Sequence, residues 1–273
     1  MDVSLPMFPL STASLPSSAA DLERLLNESL QRVFETESNP VTVQDHSYPH
    51  LEVINISLDG AQLRSDPPRP PVSAGTASPA LKVDQLVLSA SPLSLGPASI
   101  DLAISARDVH LGQAKDSTGQ ILLSIGNAGD GHAAISATPA DLEAFITRLA
   151  QDQGNKQGIT IDSVQLKVRQ ESEHSLAAEV RLYVRKLFLR ASVTVTGQLD
   201  LDDQFNFKVS GLKCTGDGGI ATLACGILTP YLEKIEGRKF PLMSFALGEI
   251  RLRDVRLNVG DKLSVTAEFG SVT

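Results

Sequence analysis

A chain of 273 residues with a formal charge of −8, 42% hydrophobic and 21% charged residues, belongs with folded globular proteins and far from the disordered class. The acidic balance excludes a sequence-independent grip on nucleic acid, which needs surplus Lys and Arg facing phosphate. Aromatic residues make up only 4% and Trp is absent, so the interior has to be built from Leu, Val, Ile and Ala.

At the amino end, Met1-Asp2-Val3-Ser4-Leu5-Pro6 lacks the basic start and unbroken apolar core of a signal peptide, and Pro6, Pro9 and Pro16 interrupt it. Residues 1–17 are expected to be a flexible lead and 18–273 a single elongated domain. No stretch reaches the roughly 18 apolar residues that crossing a bilayer requires. The chain as given therefore reads as soluble and cytoplasmic.

Ser18 to Phe34 has helical periodicity, with Leu22, Leu25, Leu26 and Val33 on one stripe and Ser18 as N-cap. Thr138 to Ala150 repeats the arrangement, with Leu142, Phe145, Ile146 and Leu149 as the stripe and Pro139 in the favoured first helical position. The two helices share Ala-Asp-Leu-Glu, at Ala20 to Glu23 and Ala140 to Glu143, three residues on from the hydroxyl cap at its Asp. A third helix is expected over about Ile220 to Ile235, kinked or divided by Pro230.

Around these helices an eight-residue pattern h-x-h-x-x-h-x-L, with h apolar, occurs five times: Ile56–Leu63, Leu81–Leu88, Ile104–Leu111, Ile159–Leu166 and Ile250–Leu257. Every copy has an Asp in its central pair, namely Asp59, Asp84, Asp108, Asp162 and Asp254. Period-two alternation is that of a half-buried strand, and an extra residue would send every later side chain to the wrong face unless a β-bulge absorbs it. A hairpin turn at Asp59-Gly60 is the competing reading. Copies follow each helix, giving three helix-then-strand units.

Residues 159–213 form a meander whose corners are expected at Glu171–His174 and Asp200–Asp203. Between them, Val180, Leu182 and Val184 share a face, parity slips at Arg185-Lys186, and Leu187, Leu189, Ala191, Val193 and Val195 continue it. An unbroken strand of this length, at about 3.3 Å per residue, would span about 80 Å and imply a strongly curved body. Asp66–Pro79, rich in Pro, Ser and Gly, is expected to be a mobile surface loop. Its Pro-Pro-Arg-Pro-Pro resembles a ligand of polyproline-reading domains, though a plain connector accounts for it.

Signals of chemistry are sparse. His46 and His50 have helical zinc-ligand spacing but flank Tyr48-Pro49, and no HExxH or GxSxG motif occurs. Cys214 and Cys225 read as two reduced thiols in a cytoplasmic chain, with a disulfide geometrically open. Gly126–Gly131 reads as a hairpin loop between strands and Gly216–Gly219 as the turn into a helix, neither matching a phosphate loop. Arg181, Arg185, Lys186 and Arg190, and again Arg251, Arg253 and Arg256, read as the solvated face of a sheet; the sharper reading is a patch for anionic headgroups or an acidic partner.

An N-capped helix beginning Thr138-Pro139-Ala140-Asp141-Leu142, the meander of 159–213, the passage from Gly211 into a helix containing Pro230, and Phe240-Pro241-Leu242 leading to GEIRLRDVRL together resemble the tubular lipid-binding (TULIP) superfamily. The likeness is to its compact bacterial phospholipid-binding branch and covers most of residues 135–270. It implies an α+β, β-dominated fold in which a long, highly curved antiparallel sheet of bulged strands wraps amphipathic helices, with an apolar cleft for acyl chains and no catalytic residues, cofactor or metal. The bacterial relatives are exported or tethered, and the sequence shows neither signal.

The expected function is thus lipid binding or carriage, with Phe145, Leu149, Leu182, Val193, Leu223, Ile227 and Tyr231 lining the groove. The rival is a structural or assembly protein with a filled core that binds a protein partner through a sheet edge. An enzyme stands third.

Overall fold

The computed structural model describes residues 7–69, 71, 73, 75–156, 158–186, 189–241 and 251–271. The first half contains β1 (Met7–Pro9), α1 (Ala19–Val33), β2 (Phe34–Glu35), β3 (Val41–Ser47), β4 (His50–Ser57), β5 (Gln62–Leu63), β6 (Ser78–Leu95), β7 (Ala98–Lys115), β8 (Ile121–Asn127) and β9 (Asp130–Ala137). The second contains α2 (Pro139–Lys156), β10 (Thr160–Ser172), β11 (Ser175–Lys186), β12 (Leu189–Leu201), β13 (Asn206–Thr215), α3 (Gly219–Ile235), β14 (Lys239–Pro241), β15 (Arg251–Val259) and β16 (Leu263–Gly270). With 57% of the described residues in strands and 20% in helices, the protein is β-dominated α+β.

The strands divide into two sheets. The larger runs β15-β16-β9-β7-β6-β4-β3, with β1, β2, β5 and β8 attached to it, and is mixed, because β4 and β5 lie parallel to β6. The smaller is an antiparallel meander, β10-β11-β12-β13-β14.

Each central pair of the eight-residue pattern falls where a ladder is interrupted. Pairing skips Asp162 between Ile161 and Ser163, and skips Arg253 between Leu252 and Asp254. Asp84 and Asp108 oppose each other at a gap between the pairs Val83↔Val109 and Gln85↔Arg107, and Asp108 has φ 48°. Asp59-Gly60 is a tight turn, yet not a hairpin: Ser57 pairs with Ser89 and Gln62 with Ser94, so the chain resumes along the same neighbour, β6. Ile250, which opens the fifth copy, and Leu242 lie outside the described residues.

Several expectations are corrected. The long strand through Arg185-Lys186 is a hairpin, because Lys186 pairs with Leu189 across it. The parity slip marked a chain reversal, and the 80 Å strand does not exist; Leu187 lies outside the described residues. Gly126–Gly131 is not a hairpin loop: β8 and β9 both run antiparallel to β7, one after the other. The joint at Ala128-Gly129 sits opposite Asp108, where a Cβ on Gly129 would approach Asp108 Cβ to 3.2 Å.

Residues 7–17 are anchored rather than loose. Phe8 pairs with Leu123 of β8, Leu10 is fully buried, and Tyr48 Oη donates to Pro16 O at 2.6 Å. Helix α3 runs through Pro230 undivided, and Cys214 and Cys225 form a disulfide that ties its underside to β13, in place of two free thiols.

The repeated Ala-Asp-Leu-Glu does the same two jobs in both helices. Its Asp completes a cap: Ser18 Oγ donates to Asp21 and accepts from the Asp21 amide, and Thr138 Oγ1 does both for Asp141. Its Glu reaches a sheet edge: Val43 N donates to Glu23 Oε2 at 2.8 Å, and Leu166 N to Glu143 Oε1 at 2.7 Å. A carboxamide completes each seal. Asn27 bonds both Val41 N and Val41 O, and Gln151 Nε2 donates to Ile161 O. The edge of β15 is closed likewise by Gln170, which takes Val259 N and donates to Leu257 O.

The cap on α2 makes the fold acid-sensitive. The hydroxyl of Thr138, then the amide of Ser99, hold the Asp141 carboxyl below the usual carboxylate range. A depressed folded pKa contributes stability that is complete above the unfolded value of about 3.9 and lost as pH falls through the folded value. Thermal unfolding midpoints are therefore expected to drop below pH 4, and Asp141→Asn to lower the midpoint at neutral pH while flattening that drop. An acid limb as steep in the variant as in the parent would refute this role.

Candidate apolar binding site

In the larger sheet the pattern's apolar positions line up side by side. One row crosses all seven strands as Val41, Ile56, Leu88, Ile104, Ala133, Ala267 and Val255. The next row includes Ile54, Leu86, Ala106, Gly131, Phe269 and Leu252. Leu252 and Val255 are three apart yet share the face, because the bulge at Arg253 restores parity. Gly131 is required here, since a Cβ would run into the Phe269 ring lying over it.

Helix α1 covers one end of this face with Leu22, Leu25, Leu26 and Leu30, all buried in the same cluster. Leu30 takes the place on the stripe that the sequence assigned to Val33, which is half-buried. Among the described residues, none from a helix lines the other end, over β7, β9, β15 and β16. There a cavity of about 430 Å³ opens, lined by aliphatic side chains and Phe269, with Ile135 at its rim 42% exposed. A smaller apolar space of about 240 Å³ beneath Phe8, Leu26 and Leu30 shares Leu86 and Ile125 with it, so the two abut.

The chemistry of this trough is that of hydrocarbon. Among the described residues, no titratable side chain lines it. Each methylene moved from water into it gains about 0.8 kcal/mol. A carboxylate pushed in without a partner would cost several kcal/mol, so a polar headgroup must stay outside.

A wider cleft of about 1050 Å³ lies on the opposite face, beside Tyr48, His50, Lys82, His110 and Ser124. Two of its side chains are already engaged: His50 Nε2 meets Asp84 at 2.7 Å, and Lys82 approaches Asp108 at 4.0 Å. The hydrogen bond from His50 depresses the Asp84 carboxyl. His46 also turns to Asp84, but no group of three ligating side chains is placed for a metal among the described residues. Nor, among them, does any hydroxyl bond an imidazole ring, the arrangement that would activate a nucleophile.

The residues chosen from the sequence lie on the smaller sheet instead. Leu182, Val193 and Ile227 meet in one cluster under α3, Val193 fully buried. Phe145, Leu149, Leu223 and Tyr231 face solvent. Helix α2 turns Ile146 of the expected stripe to its sheet together with Ala150, while Phe145 and Leu149 of that stripe are exposed. The basic residues singled out are largely paired: Arg181 with Glu179, Arg185 with Asp162, Arg253 with Asp130 and Arg256 with Asp254. Among the described residues, no helix is long and apolar enough to cross a membrane. Compared with models of protein families, with curated proteins and with solved structures, the chain matches none.

Proposed function

We propose that this chain is a non-catalytic lipid-binding or lipid-carrying protein of the tubular lipid-binding kind, holding acyl chains in the trough of its larger sheet. The observation that carries the reading is the uncharged cavity of about 430 Å³. That lies within the roughly 300–1,000 Å³ common for ligand sites, but lacks the few convergent polar groups that orient a polar substrate. Its walls select for length and flexibility rather than for functional groups.

The rival reading, a partner bound through a sheet edge, is disfavoured on β3, β10 and β15 by the side chains of Asn27, Glu23, Glu143, Gln151 and Gln170, which occupy several of the edge groups such a partner would need. Native mass spectrometry of the purified protein, with organic extraction and identification of the extract, tests the proposal. Adduct masses in the lipid range that match the extract are expected. The bare polypeptide mass, no extractable lipid and no uptake of a fluorescent fatty acid would overturn it.

A further inference from the structure

Seven large apolar side chains stand more than a third exposed among the described residues, and only Ile135 belongs to the trough. Four of the others, Leu223, Tyr231, Ile235 and Phe240, lie on α3 and β14. Leu223, Tyr231 and Ile235 are spaced by multiples of four residues and so form one exposed stripe along the helix, which the half-buried Ile227 joins to the cluster beneath. Residues Gly219 to Leu232 carry no charge at all. The helix buries Ala221 and Ala224 and packs Ile220, Cys225, Ile227 and Leu228 at partial exposure against its sheet, which leaves Leu223, Tyr231 and Ile235 facing outward.

The border of the stripe is cationic. Lys234 Nζ lies 5.8 Å from the centre of the Tyr231 ring, and the Arg238 guanidinium 5.3 Å from that of Phe240. Nearby carboxylates are drawn away from it: Glu236 accepts from the amides of Gly211 and Leu212, and Asp202 takes Lys239 at 2.8 Å. Glu233 is the acidic residue left on the helix itself. We propose that the α3–β14 face docks onto the surface of an anionic lipid bilayer, with its aliphatic stripe in the acyl boundary and Lys234 and Arg238 at headgroup level.

The chemistry favours this occupant over a second copy of the chain. An amphipathic helix with Tyr and Lys at its apolar border matches the layered polarity of a bilayer surface. A twofold pairing centred on the carboxyl end of the helix would set Lys234 and Arg238 against their own equivalents while Glu236 is turned inward. The face lies apart from the trough, and the inference stands whether or not a ligand fills it.

Flotation of the full chain with phosphatidylcholine vesicles containing phosphatidylglycerol is the test. The parent is expected to rise with the vesicles. Leu223→Ser with Tyr231→Ser should reduce the bound fraction at least about tenfold, with circular dichroism unchanged because both side chains are exposed. Lys234→Glu with Arg238→Glu should weaken binding to these vesicles and leave pure phosphatidylcholine unaffected. Ile135→Ser, in the trough, should float like the parent. A parent chain that stays at the bottom, a serine pair that floats equally well, or a dimer by light scattering that the serine pair dissolves would each overturn the proposal.

Discussion

Replacing Asn27 with alanine should lower the unfolding free energy by about 2–6 kcal/mol, since a buried backbone donor and a buried acceptor each lose a partner worth about 1–3 kcal/mol. Asn27 is 5% exposed and stands between α1 and β3, its Oδ1 accepting from Val41 N at 2.8 Å and its Nδ2 donating to Val41 O at 3.0 Å. Val41 is itself 1% exposed, so water cannot take over either bond. Glu23→Gln keeps an oxygen for Val43 N and should cost less than about 1 kcal/mol. Urea denaturation of both variants separates the cases. An Asn27→Ala protein within 0.5 kcal/mol of the parent, about the noise of a surface substitution, would show that the seal does not hold the edge.

Ala133→Phe should abolish ligand uptake without unfolding the protein. Ala133 sits in the row between Ile104 and Ala267, on the floor of the trough, and a benzyl group there projects into open space rather than into packed neighbours. Filling empty volume does not carry the strain of overpacking a closed core, so the thermal midpoint should hold or rise. Fatty-acid affinity, read by displacement of a fluorescent probe, should fall at least about tenfold, since several methylenes at about 0.8 kcal/mol each lose their site. Undiminished uptake with a folded protein would move the site away from this sheet. The groove residues named from the sequence, Phe145, Leu149, Leu223 and Tyr231, would then be the next to replace.

The eight-residue pattern was the informative part of the sequence, and it bears on the site as well as the strands. Leu86, Ile104, Ala106, Val109, Leu252 and Val255 are apolar positions of three copies, and all six line the trough. What the sequence hid was which copies are neighbours. Strand pairing is long-range: β9 brings β7 beside β16, so that Ile104 and Val255 share a row although about 150 positions separate them. Helix faces were partly legible. Local periodicity placed the α1 stripe to within one residue but not the buried side of α2, where Phe145 and Ile146 are both apolar and only the sheet beneath decides between them.

Turns were read where their chemistry is ordinary and missed where it is not. The corners near Glu173-His174 and Asp203-Gln204 lie where polar residues announced them. The reversal between Lys186 and Leu189 carries no Gly, Asn, Asp or Pro, so period-two reasoning continued through it. Gly126–Gly131 misled in the opposite sense. Its glycines leave room for close neighbours, Gly129 for Asp108 and Gly131 for the ring of Phe269, rather than making a change of direction.

The sealed edges bear on what happens when the protein is concentrated or warmed. A β-strand with free amides and carbonyls is a template on which the next molecule can add its own strand, and short apolar segments then stack into fibrils. Here Asn27 and Glu23 occupy that position on β3, and Glu143 and Gln151 on β10, so the two helices act as detachable guards. Local release of α1 would bare Val41, Val43 and the leucines of its own stripe together. Aggregation should accordingly track helix detachment, well before the sheets themselves come apart.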